Sequence, residues 1–324
     1  MPLSYLHYDV FTGEPLLGNQ LAVFTDARGL DAELMQRIAR EMNFAESTFI
    51  LPAERSDTDV RMRIFTPGVE MPMAGHPTIG STFALAHTGV IRPGSKRFVF
   101  GLNIGPIPVD LEWSGDASGE TSGETSGETL RFAWMTQSNP VFGAYANERA
   151  VVAEALGLTA ADLAPDLPIQ HVSCGVPYLI VPLRNQAAVD RAIPDPVAFR
   201  RLRDGIGDDL AIYLFADAGG ALSPKLDRAK AERGEETAYS RMFAPDIGIV
   251  EDPGTGSAAG PLGCYLVRHR LVAGVDAQRM VFLQGVAMGR ASRIHVAIDG
   301  SPDAITQVKV GGEAVLVARG ELLV

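Results

Sequence analysis

An internal repeat constrains this chain more than any other feature of its sequence. Arg63-Ile-Phe-Thr-Pro67 reappears as Arg241-Met-Phe-Ala-Pro245, with Arg, Phe and Pro shared. Val69-Glu70-Met-Pro72-Met-Ala-Gly75-His76 reappears as Val250-Glu251-Asp-Pro253-Gly-Thr-Gly256-Ser257. The second match holds at an offset of 181 residues as far as Leu85 and Leu266, and Val99-Phe100 and Val281-Phe282 extend it at 182. Five identities over the 17 positions from Val69 to Leu85 would carry little alone. Their conserved order, beside the Arg-x-Phe-x-Pro match, reads as one duplicated unit. A length of 324 residues accommodates two domains of about 150 residues each. The expected division is an N-terminal half over 1–140 and a C-terminal half over 141–324, with the crossover near Met135 to Gly157.

Each half carries the same local pattern. Leu34, Met35, Ile38 and Met42 recur at helical spacing behind Asp31, a plausible N-cap, so a helix is predicted from Asp31 to Asn43. Phe199, Leu202 and Ile206 predict its counterpart over Asp195 to Ile206. Leu21–Phe24, Ser47–Leu51, Tyr178–Val181 and Ala211–Phe215 read as strands. Many short strands with few helices favour mixed sheets closing around a helix over one doubly wound parallel sheet. One segment breaks the pattern. Within 114–129, the stretch Ser118 to Thr129 repeats Ser-Gly-Glu-Thr three times and offers no apolar residue to bury. It is expected to be a solvated hairpin extension or a disordered loop without a functional role.

The repeated glycine turns are the first candidate for chemistry. Pro77 predicts a helix start after Gly75-His76, and Ser257 predicts an N-cap after Gly256. A helix N-terminus presents unsatisfied N–H groups and a positive dipole end, which suits a carboxylate or an enolate-like intermediate. The plainer reading is that each glycine only makes a turn. Glu46, between a helix end and a strand and flanked by Phe44, Phe49 and Ile50, is either a partly desolvated acid/base or a solvated glutamate at a helix end. Its counterpart in the second half, near Leu210, carries no carboxylate. His76 stands where a helix dipole would favour the neutral ring. Asp252 is a second acid/base or a simple turn aspartate.

Other chemistries are excluded by pattern. Gly254-x-Gly256-x-x-x-Gly260 lacks the G-x-G-x-x-G spacing of a dinucleotide site. The histidines show no H-x-H or H-E-x-x-H spacing, so no metal is expected. Cys174 and Cys264, the two cysteines, form no CxxC and are expected to be packing residues in a reducing cytoplasm. A formal net charge of −11 argues against nucleic acid or an anionic membrane surface as partner. No apolar run approaches the roughly 20 residues of a spanning helix, and Met1 to Phe11 shows no secretion signal.

Taken together, Tyr8-Asp-Val-Phe-Thr-Gly-Glu-Pro-Leu-Leu-Gly-Asn19, Asn43-Phe-Ala-Glu46-Ser-Thr-Phe, Arg63-Ile-Phe-Thr-Pro, Ala74-Gly75-His76-Pro77, Glu251-Asp252-Pro-Gly-Thr-Gly256-Ser257-Ala-Ala-Gly-Pro and Leu283-Gln-Gly-Val-Ala-Met-Gly-Arg-Ala-Ser-Arg293 resemble the PhzF family of phenazine biosynthesis. The resemblance runs from Ser4 to Val324. It implies an α+β protein of the diaminopimelate-epimerase-like fold: two pseudo-symmetric halves, each a mixed, barrel-like sheet around a central helix, with the site in the cleft between them. It further implies a cytoplasmic, homodimeric, cofactor-independent isomerase that moves a proton between carbons of a small anionic metabolite. Glu46, His76 and Asp252 match the family's catalytic positions, and Asn19, Gly75, Gly256 and Ser257 its substrate-binding ones. Two departures bear on the reaction. The related racemases carry a catalytic cysteine in each half, where this chain has Gly75 and the Asp252 region, so thiol-based racemisation is not expected. The family's type enzyme has serine before its glutamate, where this chain has Ala45. Rival readings are a two-base epimerase using Glu46 and Asp252, or a homologue that binds a small molecule without turnover.

Overall fold

The computed structural model describes residues 2–114, 128–206, 211–218, 236–245 and 248–324. They fall into two compact units: Met1–Thr136 with Gly311–Val324, and Gln137–Val310. The chain thus leaves the first unit at Thr136, a few residues before the expected 140/141 division, and its last segment belongs with the N-terminal half. The reason is pairing: the C-terminal strand runs antiparallel along the whole first strand, from Pro2↔Leu323 to Val10↔Ala314.

Unit 1 contains β1 (Pro2–Val10), β2 (Asn19–Phe24), α1 (Ala32–Met42), β3 (Glu46–Pro52), β4 (Val60–Phe65), β5 (Glu70–Met71), α2 (Gly75–His87), β6 (Arg97–Leu102), β7 (Gly105–Trp113) and β8 (Leu130–Gln137). Unit 2 contains β9 (Val141–Tyr145), α3 (Arg149–Ala155), β10 (Gln170–Ser173), β11 (Pro177–Pro182), α4 (Gln186–Arg191), α5 (Pro196–Ile206), β12 (Ile212–Asp217), β13 (Ala238–Ala244), β14 (Ile249–Asp252), α6 (Gly256–Arg268), β15 (Met280–Gln284), β16 (Ser292–Ser301) and β17 (Ala304–Gly312). The last strand, β18 (Ala314–Leu323), is the one that returns to unit 1.

The duplication is visible in the strand pairing. In unit 1, β1–β2 is antiparallel, β2–β3 parallel, β3–β4 antiparallel, β4–β6 parallel and β6–β7 antiparallel. Unit 2 repeats this sequence of pairings in β10–β11, β11–β12, β12–β13, β13–β15 and β15–β16. The short antiparallel arms β5 on β4 and β14 on β13 match as well. Inside unit 1, α2 packs against β1, β2, β3 and β18, and every residue from Gly75 to Leu85 is buried. Inside unit 2, α6 packs against β10, β11 and β16, and is buried from Gly256 to Val267. A helix covered on all sides needs small residues where strands approach it. A Cβ on Gly263 would lie 2.6 Å from Val296 Cγ1. These are the mixed sheets around central helices that the sequence predicts.

The outer helices follow their sequence signals. Asp31 caps α1 by accepting the Leu34 N–H at 2.8 Å, and Asn43 ends it in the left-handed conformation. Asp195 accepts the N–H groups of Val197 and Ala198 at the start of α5. The central helices start earlier than expected. α2 begins at Gly75, which puts Pro77 inside the first turn, where its missing N–H costs nothing. α6 begins at Gly256 with Thr255 as N-cap, so Ser257 is not the cap. Cys174 and Cys264 are fully buried packing residues, as expected, and their sulfurs lie 3.8 Å apart. Most of the Ser-Gly-Glu-Thr stretch lies outside the described residues; β7 and β8, which it joins, pair antiparallel up to Trp113↔Leu130.

The repeated Arg and Glu form the same ion pair twice. Arg63 grips Glu70 through two bonds of 2.8 and 2.6 Å and lies over the Phe65 ring. Arg241 grips Glu251 through two bonds of 2.8 Å and lies over Phe243. Arg241 also donates to the carbonyls of Val189, Asp190 and Ala192 at the end of α4. Its side chain is 9% exposed, against 21% for Arg63. Removing the more buried cation strands a carboxylate and three carbonyls. Arg241→Leu is therefore expected to cost about 3–5 kcal/mol in urea unfolding, and Arg63→Leu about 1 kcal/mol. Equal losses would refute this ranking.

Candidate active site

In unit 1 the chain brings Asn19, Glu46 and His76 together. Asn19 follows a tight loop in which Phe11 and Leu16 have positive φ angles of 65° and 71°. Gly18, at φ 65°, cannot be replaced easily, because a Cβ would lie 2.3 Å from the Val10 carbonyl oxygen. The buried Asp9 carboxylate accepts the Leu16 N–H at 2.7 Å and holds the loop. Backbone kept in such sparsely populated regions is typical of functional segments. Glu46 opens β3, paired in parallel with Leu21 of β2. His76 is the second residue of α2.

These three side chains are buried: Asn19 is 1% exposed, His76 2% and Glu46 8%. The solvated-glutamate reading of Glu46 is thereby overturned. His76 Nδ1 lies 3.1 Å from Asn19 Nδ2 and 3.3 Å from Glu46 Oε2. Burial pushes the His76 pKa down to about 3, partly opposed by a backbone interaction with Gln20. The neutral ring expected from the sequence agrees with this direction, and desolvation is its largest cause. Neutral Nδ1 and a carboxylate oxygen both carry lone pairs, so their contact is attractive when one proton lies between them.

In unit 2 the second turn assembles Asp252, Thr255, Gly256 and Ser257. Asp252 ends β14, and its Oδ2 accepts the Thr255 hydroxyl at 2.5 Å. The Gly256 carbonyl accepts the Gln137 amide at 2.9 Å. Ser257 Oγ shares a 2.7 Å hydrogen bond with the Tyr178 hydroxyl, which is what it does in place of capping. Neither central helix has its N-terminal N–H groups capped by a side chain. Ala74 has no polar group to offer, and the Thr255 hydroxyl is spent on Asp252.

The repeat register says where the two units diverge. Ser47 faces Phe65 as Ile212 faces its repeat mate Phe243, so Glu46 corresponds to Ala211. Leu210, the counterpart read from sequence, lies outside the described residues; its neighbour Ala211 is likewise without a carboxylate. At the turns, Met71, Ala74 and His76 stand where unit 2 has Asp252, Thr255 and Ser257. Thr255, Tyr178 and Gln137 were not singled out by the sequence. Thr255 had a signal, as the sole hydroxyl between Gly254 and Gly256. Tyr178 and Gln137 had none, since they reach the turn only through strand pairing.

Residues 8–320 match the family of phenazine biosynthesis-like proteins, PhzC/PhzF. The chain belongs to that family. It is 36% identical to the trans-2,3-dihydro-3-hydroxyanthranilate isomerase of Pseudomonas aeruginosa over 98% of both chains. It is 32% identical to an uncharacterized isomerase, YddE, of Escherichia coli over 97% of this chain and 96% of that one. Among solved structures it resembles a PhzF-family protein of Bacillus anthracis, with a TM-score of 0.79 and 28% identity over the full length of both chains. The structure described as a probable proline racemase from Agrobacterium radiobacter, at TM-score 0.58 and 11% identity over 98% of this chain and 92% of that one, shares the fold. The diaminopimelate-epimerase-like architecture and membership among the PhzF-like isomerases follow from these likenesses. Among the described residues no helix is long and apolar enough to cross a membrane.

The His76 environment makes a pH prediction. The unfolded chain takes up a proton near the ordinary histidine value of 6.5, whereas the folded ring resists until about 3. Between those values the unfolded state binds more protons, so stability falls as pH falls. The melting temperature of His76→Gln should therefore decline less steeply than that of wild type between pH 6.5 and pH 4, as calorimetry can measure. Parallel declines would contradict a neutral buried ring.

Proposed function

We propose that this PhzF-family isomerase shifts a proton between two carbons of a small unsaturated carboxylate, with Glu46 as the single general acid/base. The contact of Glu46 with His76 Nδ1, steadied by Asn19, carries the reading. Glu46 takes a proton from a carbon beside the unsaturated system, breaking its C–H bond. The electron pair delocalises over the double bonds and carboxylate. Glu46 then returns the proton to a second carbon on the same face, so atoms and electrons balance without a co-reactant. His76 holds the shared proton and keeps the Glu46 oxygen oriented. Gly75, at an uncapped helix start, holds the developing charge through backbone N–H groups, and Gly256 offers donors of the same kind within unit 2. Within unit 2, Asp252 and Ser257 are the side chains assigned to substrate positioning. The substrate named for the Pseudomonas aeruginosa relative, a dihydro-hydroxyanthranilate, has this chemistry.

A pair of symmetry-related bases is disfavoured because Ala211 occupies the position equivalent to Glu46; two-base epimerisation by Glu46 with Asp252 would invert a centre, whereas the one-base shift keeps the hydrogen on one face. Turnover by Glu46→Gln should fall by about 10²–10⁴-fold with trans-2,3-dihydro-3-hydroxyanthranilate, while KM stays within about threefold. Retention of near wild-type kcat by Glu46→Gln would sink the assignment.

A further inference from the structure

Unit 2 contains a buried polar network of which Gln284, Thr255, Asp252 and Ser240 have apolar counterparts in unit 1, while Tyr213 has the buried Thr48, bonded to Ser81. Gln284, the last residue of β15, is fully buried, and its amide uses all of its hydrogen-bonding capacity. Its Oε1 accepts the Tyr213 hydroxyl at 3.0 Å and the Thr255 N–H at 3.1 Å. Its Nε2 donates to the Asp252 carbonyl at 2.8 Å and to Thr255 Oγ1 at 2.9 Å. Tyr213 in turn bonds Ser240 at 3.0 Å. Because Nε2 donates into Thr255 Oγ1, the hydroxyl hydrogen is left to point at Asp252 Oδ2, 2.5 Å away. Gly285 keeps this strand end against the turn, since a Cβ there would lie 2.4 Å from the Pro253 carbonyl oxygen.

The repeat supplies the comparison. Phe100 pairs with Val60 as Phe282 pairs with Ala238, so Gln284 corresponds to Leu102. Thr255, Asp252 and Ser240 correspond to Ala74, Met71 and Met62. The same backbone therefore holds together with apolar residues at these places in unit 1. Fold stability alone does not call for buried polar groups there, and each is costly unless satisfied. Burial raises the Tyr213 pKa, with the Asp252 charge adding to the rise, so Tyr213 remains a neutral donor to Gln284.

We propose that Gln284 is a positioning residue: through Thr255 it fixes the Asp252 carboxylate and the N-terminal N–H groups of α6. This rests on the reading of Asp252 as part of the reaction machinery. The test uses the full chain and the variants Gln284→Leu, Thr255→Val and Thr255→Ser. One readout is the Asp252 carboxyl titration by carbon NMR, assigned by loss of its signal in Asp252→Asn. Loss of the hydroxyl bond should raise the midpoint by about one pH unit or more in Gln284→Leu and Thr255→Val, and Thr255→Ser should restore it. The other readout is isomerisation of trans-2,3-dihydro-3-hydroxyanthranilate. In the same two variants kcat should fall about 10- to 100-fold with KM within about threefold, and the double variant should be no worse than the poorer single one. Wild-type midpoints and kcat in folded Gln284→Leu and Thr255→Val would overturn the proposal, whatever their melting temperatures. If Gln284→Leu does not fold, the shape-conserving Thr255→Val decides. If wild type does not turn over this compound, or Glu46→Gln turns it over normally, the functional reading fails, and the Asp252 titration alone decides the role of Gln284.

Discussion

A helix enclosed by apolar strands leaves its first backbone N–H groups as donors that must meet something at its end. In each unit of this protein that end is a glycine turn without a side-chain cap. Burial of α2 and α6 dictates small residues along their lengths and strands closed around them. It also makes each N-terminus a place where a carboxylate is better accommodated than water. The candidate catalytic side chains stand beside these two ends.

Duplication explains the frame and divergence explains the chemistry. The pairing order of β1, β2, β3, β4, β6 and β7 recurs in β10, β11, β12, β13, β15 and β16, and the Arg–Glu pair recurs with its phenylalanine. The polar substitutions do not recur. Unit 1 holds Glu46 and His76 where unit 2 has Ala211 and Ser257. Unit 2 holds Asp252, Thr255 and Gln284 where unit 1 has Met71, Ala74 and Leu102. Unit 1 became the seat of the Glu46–His76 contact, and the turn of unit 2 became one wired by hydrogen bonds.

Much of this was legible in the sequence, for identifiable reasons. Helical periodicity and caps located α1 and α5, because Asp31 and Asp195 act locally. The glycine turns were legible because the repeat marked them twice. The return of β18 to β1 was not, since a strand's partner is set by tertiary pairing that no local pattern records. Ser257 was misread as a cap because its hydroxyl is claimed by Tyr178, 79 residues away in sequence. Gln284 appeared only as part of a family motif. A glutamine ending an apolar strand has no distinctive sequence signature, and its four hydrogen bonds run to three residues on β12, β14 and the turn before α6.

The account's central claim is that one carboxyl, Glu46, carries the migrating hydrogen. Incubation with trans-2,3-dihydro-3-hydroxyanthranilate in deuterated water tests it most directly. Wild type should incorporate deuterium on a single face of the carbon that gains the hydrogen, to the extent that the Glu46 proton exchanges with solvent between its two transfers, and Glu46→Gln should incorporate none above background. Incorporation by Glu46→Gln at the wild-type rate, or by wild type on both faces of that carbon, would contradict the account.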